Sequence, residues 1–297
     1  MNGAIAAYDN RSSDPKVPPI DEPIETDTMK RMIQLDDGQS IGLIEQGSGS
    51  AIVFVHGLPG QASDFAPIFD HLAPHRRTVV YDRVGYGSSP SISTNRKGTI
   101  SDNVEALIDI LDRLEIKSAT LVGWSYGGDI AITTAVHFPQ RVSSLVLVGS
   151  VGPSFVWPPA FIERVMFKSP FASALVKCAR ALGPRAIAPM LSDAYGEPVP
   201  RRLLAEFVDL LATPGTIARW IEEGRCWDPK NCPAQQVTQP TLIIHGTNDT
   251  RVPLAVAKAN AQLIPKATAH WLPDAGHWPC HSHPETVAKW IEEFLTR

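Results

Sequence analysis

Leu121-Val122-Gly123-Trp124-Ser125-Tyr126-Gly127-Gly128 joins an apolar run to a Gly-x-Ser-x-Gly turn and then to the start of a helical pattern. Ala119, Leu121 and Val122 read as a strand entering the turn, and Ile130, Ala131, Ala135 and Val136 recur at helical spacing behind it. Strand, sharp turn, helix is the geometry that pushes a serine out at the tip of a nucleophile elbow. The residues two before and two after the serine must then lack side chains, or strand and helix could not approach; Gly123 and Gly127 meet that need. The helix start behind Ser125 offers free N–H groups and partial positive charge to an anion. Glycine and serine are common, however, and an ordinary strand-to-helix turn with an incidental serine spells the same five letters. The rest of the chain has to supply the context.

Outward from the elbow, strand and helix patterns alternate. Upstream, Ala51-Ile52-Val53-Phe54-Val55 is a continuous apolar run of the kind buried on both faces, ending in His56-Gly57-Leu58-Pro59-Gly60. A helical pattern through Phe65, Ile68, Phe69 and Leu72 follows. Thr78-Val79-Val80-Tyr81 is the next buried strand, and a glycine-rich loop, Asp82-Arg83-Val84-Gly85-Tyr86-Gly87-Ser88-Ser89, follows it. Val104, Leu107, Ile108 and Leu111 mark a helix for which Ser101 is the expected N-cap. Earlier still, Asp36-Asp37-Gly38 between two apolar-rich runs signals a hairpin. Downstream, residues 142–148, 241–244 and 268–272 read as strands, with helices over 254–263 and about 284–294. This alternation predicts an α/β fold: a mostly parallel, doubly wound sheet of about eight strands. Ligands of such sheets bind beyond the carboxyl ends of the strands, where His56, Asp82 and Ser125 all fall.

The alternation is interrupted once. Residues 152–236 are helical in pattern, over 161–167, 171–182, 203–211 and 217–221, and hold 11 of the 26 prolines, so no helix there can run long. They read as an inserted helical cap on a core made of 29–151 and 237–297. Residues 1–28, polar, Pro-rich and acidic from Asp21 to Asp27, read as a surface or flexible arm.

The 297 residues, 43% hydrophobic and 20% charged, suit a globular protein with a sizeable core. A net charge of −4 gives no electrostatic case for nucleic acid as a partner. No apolar run reaches the ~20 residues of a membrane helix, and the first residues lack the basic region of a signal peptide. Cys178, Cys226, Cys232 and Cys280 show no zinc spacing, and Cys280, His281 and His283 stand too close together for a tetrahedral site, so no metal is expected. The expectation is a reduced, cytoplasmic protein, monomer or homodimer, acting on a small molecule, with a Cys226–Cys232 bridge left open.

A serine nucleophile needs a base to take its proton and an acid to orient the base. Among nine histidines, His71, His75 and His137 fall on or after helices, His270 lies inside a strand, and His281 and His283 precede the last helix. His277 alone follows the last strand, on the rim of Ser125. Asp249 follows the strand that ends at Ile244, and the loop after Val148 holds no acid before the insert. Catalytic candidates are therefore Ser125, Asp249 and His277, with oxyanion donors at the amides of Tyr126 and Leu58. His56 and the 82–89 loop read as structural bracing. Trp124, Trp157, Trp220, Trp227 and Trp278 are candidates for an apolar substrate pocket, or else core residues of the insert and its surroundings.

Five motifs in register — His56-Gly57-Leu58-Pro59-Gly60, Asp82-Arg83-Val84-Gly85-Tyr86-Gly87-Ser88, Gly123-Trp124-Ser125-Tyr126-Gly127-Gly128, Gly246-Thr247-Asn248-Asp249 and Gly276-His277-Trp278-Pro279 — make the chain resemble the α/β-hydrolase family from about residue 30 to its end. The resemblance implies a Ser-His-Asp hydrolase with a helical cap and no cofactor. Epoxide hydrolases and haloalkane dehalogenases of this fold carry aspartate where Ser125 stands, and proline iminopeptidases read differently at the elbow. Meta-cleavage C–C hydrolases have a longer glycine-rich loop than residues 56–60, and cofactor-free haloperoxidases or perhydrolases look similar but generally hydrolyse esters. A carboxylesterase for an apolar acyl or alcohol group is the expected activity. The alternatives are a C–C hydrolase, lyase, amidase or lactonase with the same triad, or a non-catalytic binding protein on the fold.

Overall fold

The computed structural model describes residues 30–90, 98–156, 174, 181, 191 and 199–297. The arm at 1–28, Trp157 and much of the span read as a cap lie outside the described residues. Eight strands form one sheet in the order β1-β2-β4-β3-β5-β6-β7-β8. The antiparallel edge is β1 (Arg31–Gln34) and β2 (Ser40–Gln46), joined through Gly38 at φ +84° and continued antiparallel onto β4 (Arg77–Tyr81). The remaining pairs are parallel: β4 with β3 (Ala51–Val55), β3 with β5 (Ala119–Trp124), β5 with β6 (Val142–Val148), β6 with β7 (Thr241–Gly246) and β7 with β8 (Ala267–Leu272). Every residue of β3, β5 and β7 is buried, as strands covered on both faces require.

Helices cover the sheet in two layers. On one face α2 (Ile100–Arg113), α3 (Tyr126–His137) and α6 (Leu254–Leu263) close a core that takes Val53, Leu121, Leu145, Leu147 and Ile243 from the strands. On the other, α1 (Ala66–Leu72), α7 (Pro279–Ser282) and α8 (Pro284–Leu295) pack on Phe54, Val122, Val146 and Ile244. The alternation along each strand divides the two cores cleanly. Between β6 and β7 the described chain is helical: α4 (Arg201–Ala212), whose Leu204, Phe207, Val208 and Leu211 join the second core, and α5 (Thr216–Cys226).

One local expectation is corrected. The N-cap of α2 is Thr99, not Ser101: Thr99 is extended at φ −65°, ψ 164°, its hydroxyl accepts from the Asp102 N–H at 3.1 Å, and its own N–H donates to the Asp102 carboxylate at 2.9 Å. An acid three residues on completes the reciprocal pair, and Ser101 is left helical and exposed. Cys226 and Cys232, whose pairing the sequence left open, are both free thiols.

Candidate active site

Three strand ends meet at one rim. At the tip of the β5–α3 turn, Ser125 has φ 55° and ψ −120°, a strained backbone for a residue with a side chain. The glycines around it are obligatory: a methyl on Gly127 would lie 2.1 Å from the Val55 carbonyl oxygen, and one on Gly123 would lie 2.6 Å from that of Gly127. Tyr126 is the first residue of α3, so its N–H belongs to the unpaired first turn of the helix.

His277 follows β8, and its Nδ1 lies 2.8 Å from the Asp249 Oδ2. The other Asp249 oxygen accepts from the backbone N–H groups of Arg251 at 2.9 Å and Val252 at 2.8 Å. Burial alone would push the Asp249 carboxyl up, but His277, His245 and the Val252 N–H together hold it below its ordinary range. An ionised carboxylate at that distance accepts from a proton-bearing Nδ1, which leaves Nε2 as the nitrogen that faces away from Asp249. His245 lies 3.3 Å from the same carboxylate; burial lowers its pKa, and it donates through Nε2 to the Val252 carbonyl at 2.8 Å.

His277 is tied to the serine turn through Trp124. The Trp124 indole N–H donates to the His277 carbonyl at 2.8 Å, and its ring lies 5.4 Å from the imidazole. Gly57 comes so close to the turn that a methyl there would lie 3.1 Å from both the Ser125 Cβ and the Trp124 ring. The peptide that carries the Leu58 N–H therefore borders the serine.

The tryptophans divide. Trp124 and Trp278 stack on one another at 5.4 Å, with Trp124 against His277. Trp227, a pocket candidate from sequence, is instead built into the core beneath α3. It is 7% exposed, donates its indole N–H to Asp129 at 2.6 Å and meets Tyr126 edge-on at 5.1 Å. Burial holds the Asp129 carboxyl above its usual range. Trp220 packs partly buried on the second core.

The 82–89 loop braces the rim, as its glycines suggested. Asp82 accepts from the Ala62 N–H at 2.7 Å and from the Ser88 N–H and hydroxyl at 2.8 and 2.7 Å, joining the loops after β3 and β4. His56, wholly buried, lies with Nδ1 3.1 Å from the Gly57 carbonyl and accepts the Arg83 N–H on Nε2 at 2.9 Å. Burial first, and the Arg83 charge second, depress its pKa to about 3, so it is a neutral strut. Sequence reading missed the partners of Arg83 and the bond from Trp227 to Asp129. They join residues 140 and 98 positions apart, and no local spacing signals such a pair.

A family model described as the alpha/beta hydrolase family matches residues 52–290. The chain belongs to the alpha/beta hydrolase family. It is 30% identical over 279 residues to a 2-hydroxymuconate semialdehyde hydrolase of a Pseudomonas species, covering 87% of this chain and 91% of that one. It is also 30% identical over 260 residues to a pimeloyl-[acyl-carrier protein] methyl ester esterase of Photobacterium profundum, covering 84% and 96%. A solved meta-cleavage product hydrolase from Pseudomonas fluorescens shares the fold with a TM-score of 0.77 at 23% identity, over 90% of this chain and 97% of that one. Proteins similar to the hydrolase thus include a meta-cleavage product hydrolase and a methyl ester esterase. No helix among the described residues is long and apolar enough to cross a membrane.

Proposed function

We propose that the hydrolase cleaves carboxylic esters with an apolar acyl or alcohol group, using Ser125 as nucleophile, His277 as base and then acid, and Asp249 to orient His277. The observation that carries this reading is the 2.8 Å contact between Asp249 and His277, held against the strained Ser125 turn by Trp124. Ser125 Oγ attacks the carbonyl carbon as its proton passes to His277 Nε2. The oxyanion is received by the Leu58 and Tyr126 N–H groups, and the alcohol leaves with the proton from His277. Water then repeats the sequence on the acyl-enzyme. Residues 152–236 act as the cap that covers this rim and excludes water, which strengthens the oxyanion contacts. Cys226, Cys232 and Cys280, free thiols among the described residues, suit a reducing compartment such as the cytoplasm.

Cleavage of a C–C bond is the second reading, favoured by the identity to 2-hydroxymuconate semialdehyde hydrolase. Another relative acts on 2-hydroxy-6-oxo-2,4-heptadienoate, an acid by its name, which would call for a cation in the site. The test is turnover of p-nitrophenyl esters against a dienone acid, with fluorophosphonate labelling of wild type and Ser125→Ala. Ester turnover with one label lost in the variant supports the proposal; turnover of the dienone acid alone selects the second reading.

A further inference from the structure

The Arg83 guanidinium makes four contacts in the interior, all short. Its Nη1 donates to Asn103 Oδ1 at 2.9 Å and to Glu223 Oε1 at 2.7 Å, and its Nη2 donates to Glu223 Oε2 at 3.1 Å and to the Gly57 carbonyl at 2.8 Å. Glu223, on α5, is fixed in turn by the Tyr86 hydroxyl at 2.8 Å, the Asn103 amide at 3.2 Å and Arg219 at 3.5 Å. The cluster is packed without slack: a methyl on Gly98 would lie 2.7 Å from Glu223 Cγ, and one on Gly85 would lie 2.8 Å from Arg219 Cγ. The Arg83 charge also lies over the Tyr126 ring at 5.0 Å.

The Gly57 carbonyl is one end of a peptide unit whose other end is the Leu58 N–H. In a trans peptide the two point in opposite directions. Whatever grips the carbonyl therefore aims the N–H. We infer that Arg83 and Glu223 are positioning residues for the oxyanion donor: the buried pair clamps the Gly57 carbonyl and so turns the Leu58 N–H toward Ser125. The inference rests on the serine-hydrolase reading. A flat fork with five donors can grip a carboxylate bidentately and a carbonyl at once, which a lysine ammonium cannot. Replacing a buried ion pair by apolar residues of similar size is often neutral for stability, so a variant that removes both charges can separate the aiming of the donor from the holding of the fold. Because Glu223 lies on α5, between β6 and β7, the clamp also makes the oxyanion donor depend on that helix being seated.

The experiment compares wild type, Arg83→Lys and the double variant Arg83→Met/Glu223→Leu. Arg83→Lys keeps the charge pair; the double variant removes both charges together. For each, one measures kcat and KM for p-nitrophenyl butyrate, the inactivation rate with a fluorophosphonate, the Ki of a trifluoromethyl ketone and the thermal midpoint. The clamp predicts that kcat and the inactivation rate fall 10- to 100-fold, part of the ~10²–10³ that removal of an oxyanion donor costs. KM should stay within threefold, and the Ki should rise in step with the loss in kcat. A folded variant whose kcat stays within threefold of wild type, or whose loss lies wholly in KM, overturns it; if the double variant does not fold, Arg83→Lys decides by the same criteria. Ser125→Ala separates the two failures. If Ser125→Ala keeps its label or its activity, the serine-hydrolase reading fails; if it is inert while Arg83→Lys is unimpaired, only the clamp fails.

Discussion

Ser125 reaches its half-buried position at the tip of the turn through a backbone conformation that costs on the order of 1–3 kcal/mol, and in the proposed triad His277 and Asp249 give that outlay its use. His277→Ala should lower kcat by ~10³ or more, and Asp249→Asn should be severe as well because the wrong tautomer then faces the serine. Initial rates on a p-nitrophenyl ester check both; a loss below tenfold for His277→Ala would pass the base role to another histidine. His56 permits a test that does not involve turnover. It takes a proton at about 3 in the folded chain and near 6.5 when unfolded, so the unfolded state gains the proton first as pH falls. Stability from this residue is complete above pH 6.5, declines toward pH 3 at up to ~1.4 kcal/mol per pH unit, and is flat below. Urea midpoints measured from pH 7 to 4 should fall less steeply in His56→Gln than in wild type; equal slopes would mean that His56 is charged in the fold. The triad candidates were legible because each stands in a glycine-punctuated loop directly after a strand. Trp227 was not, since composition cannot say that its indole meets Asp129 beneath α3.

The helix α2 shows how element ends are decided. Ser101 and Thr99 are both plausible caps by residue type, and the choice falls to Thr99 because only it has an acid at the third helical position. Thr99→Ala should cost about 1 kcal/mol, roughly 2 °C in Tm for a chain of this size. Ser101→Ala should stay within about 0.5 kcal/mol. Equal shifts in differential scanning calorimetry would refute that assignment. The strands β3, β5, β6 and β7 were readable as short apolar runs with glycine after them. What sequence could not supply was the partner of each loop: Asp82 tying the loop after β4 to Ala62 depends on strands that lie side by side only once the sheet forms.

At the scale of the whole molecule, the sheet is a partition between two cores, and the parallel order β4-β3-β5-β6-β7-β8 puts every candidate catalytic residue beyond one edge of it. Leu147→Ala, in the wall of the first core, should cost 2–5 kcal/mol by urea denaturation. The proposed cap makes a prediction about specificity. Across acetate, butyrate, hexanoate and octanoate esters, kcat/KM should climb by up to roughly fourfold per buried methylene, ~0.8 kcal/mol each, until the pocket fills. A flat profile, or one unchanged when residues 152–236 are replaced by a short linker, would deny the cap that role. The doubly wound sheet follows from alternation alone, whereas the packing of the insert depends on contacts such as Phe207 with Trp278, which no periodicity encodes.

Trp124 grips the His277 carbonyl across 153 positions of chain. A ribosome adding roughly 5–20 residues per second delivers the serine on the order of ten seconds before the histidine that would arm it. With the proposed triad, the nascent polypeptide carries an inert hydroxyl through about half of its synthesis, and hydrolysis begins only when the stretch around His277 has docked.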